Sequence, residues 1–119
     1  MRVLKVCPNQ EPVLVDIGDD YESTYQIIGG YIERIFPFDD PVAIICNEEG
    51  KILNLPLNRA IRVNGEIKDV IAGNFIITGL KNGISEISLS DELAKKYMKI
   101  FKAPEMFIRT SDGIAVIKC

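Results

Sequence analysis

Asn47, Asn58 and Arg59 are the residues of this 119-residue chain whose side chains have the most direct chemistry to offer a ligand. They flank the stretch from Asn47-Glu48-Glu49-Gly50-Lys51 to Leu55-Pro56-Leu57-Asn58-Arg59. An asparagine amide both donates and accepts, so it can read the polar edge of a small molecule. Arginine offers a planar fork for phosphate or carboxylate. Leu55, Pro56 and Leu57 form a stiff apolar support between the two turns. The expectation is that the three side chains converge on a small anionic, nucleotide-like ligand. Arg59 takes the charge and the amides orient the molecule. Tyr31 and Glu33, two residues apart on one strand face, add stacking and an acceptor for a sugar hydroxyl. On this reading Arg59→Ala abolishes binding and leaves the melting temperature nearly unchanged. A plainer reading assigns Asn47 to a hairpin cap and Asn58 to the start of a short helix with Arg59 exposed, since asparagine is a common turn and cap residue.

Other chemistries are poorly supplied. The chain has no histidine, which removes the commonest general base, the Ser-His and Cys-His nucleophile pairs and most zinc sites. Asp39-Asp40 and Glu48-Glu49 could give hard oxygen ligands, but their spacing matches no calcium-loop pattern, and both pairs sit where turns are expected. No metal and no cofactor is expected, and a metal-dependent enzyme using carboxylates ranks last among the functional readings. Cys46 ends an apolar run and reads as a small buried hydrophobe without a histidine to activate it. Cys119 is terminal and incidental. Gly29-Gly30 follow a helix, so they cap its end; a phosphate cradle places its glycines before one.

The elements that must position these residues follow from periodicity and turn chemistry. Val3–Cys7 and Val13–Ile17 read as strands joined by the loop Pro8–Pro12. A helix starts at Asp19-Asp20, with Asp19 and Glu22 placed as a capping box and Tyr21, Tyr25 and Ile28 on one helical face. Tyr31–Phe38 is a strand. Val42–Cys46 is apolar throughout and belongs inside the sheet, covered on both faces. Lys51–Leu55 returns as its hairpin partner, and Asn58–Ile61 forms a short helical turn. Asn64-Gly65 and Lys81-Asn82-Gly83 are turns. Val70–Thr78 is one strand with Gly73 as a bulge or close approach. Ser90 opens the clearest helix, with Leu93, Tyr97, Ile100 and Phe101 buried and the lysines facing water. A final hairpin pairs Met106–Thr110 with Ile114–Lys118 through Asp112-Gly113. The predicted fold class is α+β, a largely antiparallel sheet of about seven short strands with two helices, in a single globular domain over residues 1–119.

Composition bounds the partners. With 47% apolar and 26% charged residues the chain is globular in balance. A net charge of −3 and a pI near 5.0 argue against general nucleic-acid binding and against a polybasic membrane patch. No apolar run approaches the ~20 residues of a membrane span. Three widely spaced cysteines make neither a disulfide framework nor a metal knuckle, and a cytoplasmic location is expected. A homodimer is expected too, because a small domain often builds a pocket at a subunit boundary.

Five segments in order, Gly29-Gly30-Tyr31-Ile32-Glu33, Pro37-Phe38-Asp39-Asp40-Pro41, Asn47-Glu48-Glu49-Gly50-Lys51, Leu55-Pro56-Leu57-Asn58-Arg59 and Ile71-Ala72-Gly73-Asn74, resemble a small family of unassigned function. Members of that family occur in phages, prophages, plasmids and conjugative elements of Gram-positive bacteria. The resemblance spans nearly the whole chain. It brings no catalytic residues, and it implies an accessory protein of a mobile element. Such a protein would bind or sequester the anionic ligand to counter host defence, or bind a host protein through an exposed surface.

Overall fold

Ten strands and two helices are present in the computed structural model, which describes residues 1–118; Cys119 lies outside the described residues. In chain order they are β1 (Arg2–Val6), β2 (Val13–Asp16), α1 (Tyr21–Ile28), β3 (Ile32–Ile35), β4 (Val42–Asn47), β5 (Leu57–Val63), β6 (Glu66–Ala72), β7 (Phe75–Lys81), β8 (Ser85–Ile87), α2 (Asp91–Ile100), β9 (Glu105–Thr110) and β10 (Gly113–Lys118). Every strand pair is antiparallel, and the class is α+β. The main sheet runs β2-β1-β7-β4-β3, with β8 also on β7. β5–β6 and β9–β10 are separate two-stranded hairpins.

The period of two along the inner strands sorts their side chains onto two faces. Val3, Ile45 and Ile76 lie under Ile28 of α1. Their neighbours Leu4, Ile44 and Ile77 face Ala94, Tyr97 and Phe101 of the second helical segment, together with Ile61 and Ile71 of the β5–β6 hairpin. Helices and hairpin therefore cover both faces, and β4 is buried along its full length, as its unbroken apolar run predicts.

The helix ends follow local chemistry. Gly29 adopts φ +78° and donates its N–H to the Tyr25 carbonyl at 2.7 Å. Ser90 caps α2, its hydroxyl accepting from the Leu93 N–H at 3.3 Å. At the start of α1 the anticipated capping box does not form. Asp20 is the cap residue, and its carboxylate takes the Ser23 hydroxyl at 2.6 Å instead of a helix N–H.

Several expectations are corrected. Lys51–Leu55 does not pair with β4, whose two edges are already filled by β3 and β7. The segment winds into turns instead, with Leu53 N–H bonded to the Glu49 carbonyl and Asn54 at φ +55°. Residues 57–63 are a strand rather than a helical turn, and they pair with β6 across the Asn64-Gly65 turn, both of whose residues have positive φ. Val70–Thr78 is broken at Gly73, φ +83°, where the chain leaves one sheet and enters another. A Cβ there would lie 2.8 Å from the Leu55 side chain, so glycine serves both the turn and the packing. This break, with β5 and β8, raises the strand number above seven. In α2, Ala94 joins the buried stripe and Ile100 is exposed.

Candidate functional site

The structure distributes the five sequence-predicted site residues over three places. Asn58 and Arg59 are both fully buried in β5. Asn58 donates to the carbonyls of Val6 (2.9 Å) and Gly73 (2.8 Å). The Arg59 guanidinium donates to the carbonyls of Phe101 (3.1 Å), Asn58 (3.2 Å) and Gln10 (2.6 Å), and to Asn58 Oδ1 (2.8 Å). The expected exposed fork is therefore absent. Hydrogen bonds from the guanidinium N–H groups instead tie β5 to the β1–β2 loop and to the C-terminus of α2. Burial holds the Arg59 pKa below its usual value, with Glu105 opposing. The Phe101 carbonyl at the negative end of α2 supplies part of the missing counter-charge.

Asn47 and Glu33 meet at a second place. They line a cavity of about 140 Å³ together with Cys46, Lys51, Asp69 and neighbours. Asn47 Oδ1 accepts the Glu49 N–H at 2.8 Å, which is the turn-capping role the plainer reading gave it. Its Nδ2 is buried against Gly30 without a hydrogen-bond partner. The cavity is well below the ~300 Å³ at which small-molecule pockets begin. Asn58 and Arg59 do not line it.

Cys46 in this cavity is 7% exposed. Desolvation, then the charges of Glu33 and Asp69, push its thiol up from 9.0 to about 11. The thiol is protonated at neutral pH and is a poor nucleophile. Burial, then the hydrogen bond to Asp40, likewise raises the Tyr97 phenol. Both groups hold their protons more tightly folded than unfolded; the contribution of Cys46 to stability is complete below pH 9 and is lost as pH rises through about 11, and that of Tyr97 is lost at higher pH. Urea unfolding across that range will show a fall in stability, smaller in Cys46→Val. An equal fall in that variant would mean that Cys46 is solvated.

Of the carboxylates considered as metal ligands, Asp40 is otherwise engaged. Asp40 accepts from the Lys96 ammonium and from the Tyr97 hydroxyl at 2.7 Å. Those two bonds, Lys96 first, hold its pKa below the ordinary carboxylate value. Among the described residues no group of three His, Cys, Asp or Glu side chains is placed to hold a metal ion.

Tyr31 stands at the third place, which the sequence reading missed. Tyr21 and Tyr25 face outward from α1, and Thr24 and Ile28 fill its buried side. Their rings lie 5.9 Å apart, and Tyr31, just beyond the Gly29-Gly30 cap, meets Tyr25 edge-on at 6.4 Å. The three are 53%, 37% and 65% exposed. The row borders the largest cleft described, about 530 Å³, lined by Tyr21, Asp19, Asp20, Arg34 and Glu86 among others. Arg34 is paired with Glu86 at 2.9 Å and Asp19 with the terminal ammonium at 3.2 Å. Asp20 bonds only the neutral Ser23 hydroxyl, which lowers its pKa. Between Lys5 and Arg34 the chain holds no basic residue and six acidic ones, Glu11, Asp16, Asp19, Asp20, Glu22 and Glu33. That charge run, with tyrosines four apart inside it, was the available signal.

A family model described as Domain of unknown function (DUF3846) matches residues 1–102, and the chain belongs to that family. No curated protein and no solved structure matches the chain.

Proposed function

We propose that this chain is a non-enzymatic interaction module that captures a basic segment of a protein partner on the tyrosine row of α1 and the turn before β3. The observation that carries this reading is a row of three solvent-exposed tyrosines in which the Tyr25 ring meets both Tyr21 and Tyr31. Tyrosine is enriched at binding hot spots, because its large rigid ring contributes contact area at low entropic cost. The surrounding carboxylates select the sign of the partner. A lysine or arginine can stack on a tyrosine face while Asp20 and Glu22 draw it in.

The small anionic ligand is less well served, because Arg59 is fully buried and hydrogen-bonded within the fold and the acidic cleft repels an anion. The resemblance to proteins of phages and conjugative elements supports a host protein as the partner, met in the cytoplasm, with interference in host defence as the outcome.

A short arginine–glycine peptide tests the surface by NMR titration. Shifts will concentrate at Tyr21, Tyr25 and Tyr31, weaken with added salt, and fall about tenfold or more in apparent affinity in the Tyr25→Ser, Tyr31→Ser double variant. A glutamate–glycine peptide will leave the surface unchanged. Equal shifts from both peptides, or arginine-dependent shifts elsewhere on the domain, would refute the reading.

A further inference from the structure

The β9–β10 hairpin begins at Glu105, beyond the residues matched by the family model. A two-stranded hairpin is marginal in water by itself. Its anchor on the body is Glu105, which takes the Arg62 guanidinium in two bonds (3.0 and 2.9 Å) and the Ala60 N–H at 3.3 Å. Past that anchor, Met106 pairs across the hairpin with Ile117 and Ile108 with Ala115. All four are exposed on one face, which carries no charge.

The outer edge of β10 is open as well. Among the described residues β10 pairs with β9 alone, and Gly113-Ile-Ala-Val-Ile117 contains neither charge nor proline, the one charge of the strand being Lys118 at its end. Sheet edges are ordinarily blunted by such residues. Elsewhere in this fold they are: β3 carries Glu33 and Arg34, β8 carries Glu86, and β6 carries Glu66, Lys68 and Asp69.

We infer that the hairpin is a dimerisation arm and that its occupant is the same arm of a second copy of this chain. An open antiparallel edge is its own complement about a two-fold axis normal to the sheet, where β10 can pair with β10 and the two uncharged faces join on one side of a four-stranded sheet. Charge favours this occupant. A chain of net charge −3 repels its copy, most strongly along the acidic Lys5–Arg34 segment. The uncharged face of the arm, Met106, Ile108, Ala115 and Ile117, is where two copies can approach without opposing like charges.

Analytical ultracentrifugation of the full chain, paired with hydrogen exchange, tests the inference. Wild type will sediment at twice the 13.3 kDa chain mass, and β10 amides will gain protection as concentration rises. Ile117→Lys places a charge from each copy on the joined face of the paired β10 edges and will give monomer. Tyr25→Ser with Tyr31→Ser will leave the dimer intact, so failure here is separable from failure of the tyrosine surface. A wild-type monomer at high concentration, a lysine variant that stays dimeric, or β10 exchange independent of concentration would each overturn it.

Discussion

Arg59→Ala will destabilise the domain by about 3 kcal/mol or more, the reverse of the neutral substitution expected if Arg59 reached out to a ligand. Truncation removes four hydrogen bonds and leaves the carbonyls of Phe101 and Gln10 and the Asn58 amide oxygen facing one another. Each buried acceptor left unpaired costs roughly 1–3 kcal/mol, and the vacated volume adds a cavity cost. Arg59→Lys will fall between alanine and wild type. One ammonium can reach one or two of those oxygens but cannot span the loop before β2, β5 and the end of α2 together. Urea unfolding measures both, read as a shift in midpoint at unchanged slope. A loss below about 1 kcal/mol for alanine would show that water replaces the guanidinium and that the residue is accessible after all.

This network also shows how far the sequence could be read. Fold class, the two helices, the glycine and serine caps and the inner strand β4 were legible because each is set by neighbours within a few residues. The middle of the chain was not. Leu57-Asn-Arg-Ala-Ile-Arg-Val63 has apolar residues at spacings compatible with a turn of helix or with a strand. What decides for strand is pairing with β6 and the burial of Asn58 and Arg59 against Val6, Gly73, Gln10 and Phe101. Those partners are between 15 and 52 residues away, so no local pattern announces them. Buried arginine is rare enough that an isolated Asn-Arg pair reads as surface.

The same limit explains the candidate site. Tyr21, Tyr25 and Ile28 share a helical spacing, which sets them on one side of the helix without deciding whether that side is buried. Which side of an eight-residue helix is buried depends on the sheet beneath it. Ile28 and Thr24 face Val3, Ile45 and Ile76, which turns Tyr21 and Tyr25 outward toward Tyr31. The tyrosine row exists because the sheet claimed the other side of the helix.

The packing of that sheet leads to the second large effect, at Ile44, which is fully buried on the face opposite α1. It stands between Ile35 of β3 and Ile77 of β7 in the register, in the cluster that includes Tyr97 and Phe101. Both strand neighbours are hydrogen-bonded to β4 along its length, so the backbone cannot close over a missing side chain. Ile44→Ala will therefore cost roughly 2–5 kcal/mol, the transfer cost of the lost methyl and methylene groups together with the cavity they leave. Ile44→Val, which removes one methylene, will cost about 0.5–1.5 kcal/mol. Ile84→Ala is the matched control. That residue is 81% exposed in the β7–β8 turn, and the same chemical change there will alter stability by no more than about 0.5 kcal/mol. Chemical denaturation of the three variants at one pH decides the point. Equal losses at Ile44 and Ile84 would mean that β4 does not lie between two covered faces, and the layer order of the fold would have to be redrawn.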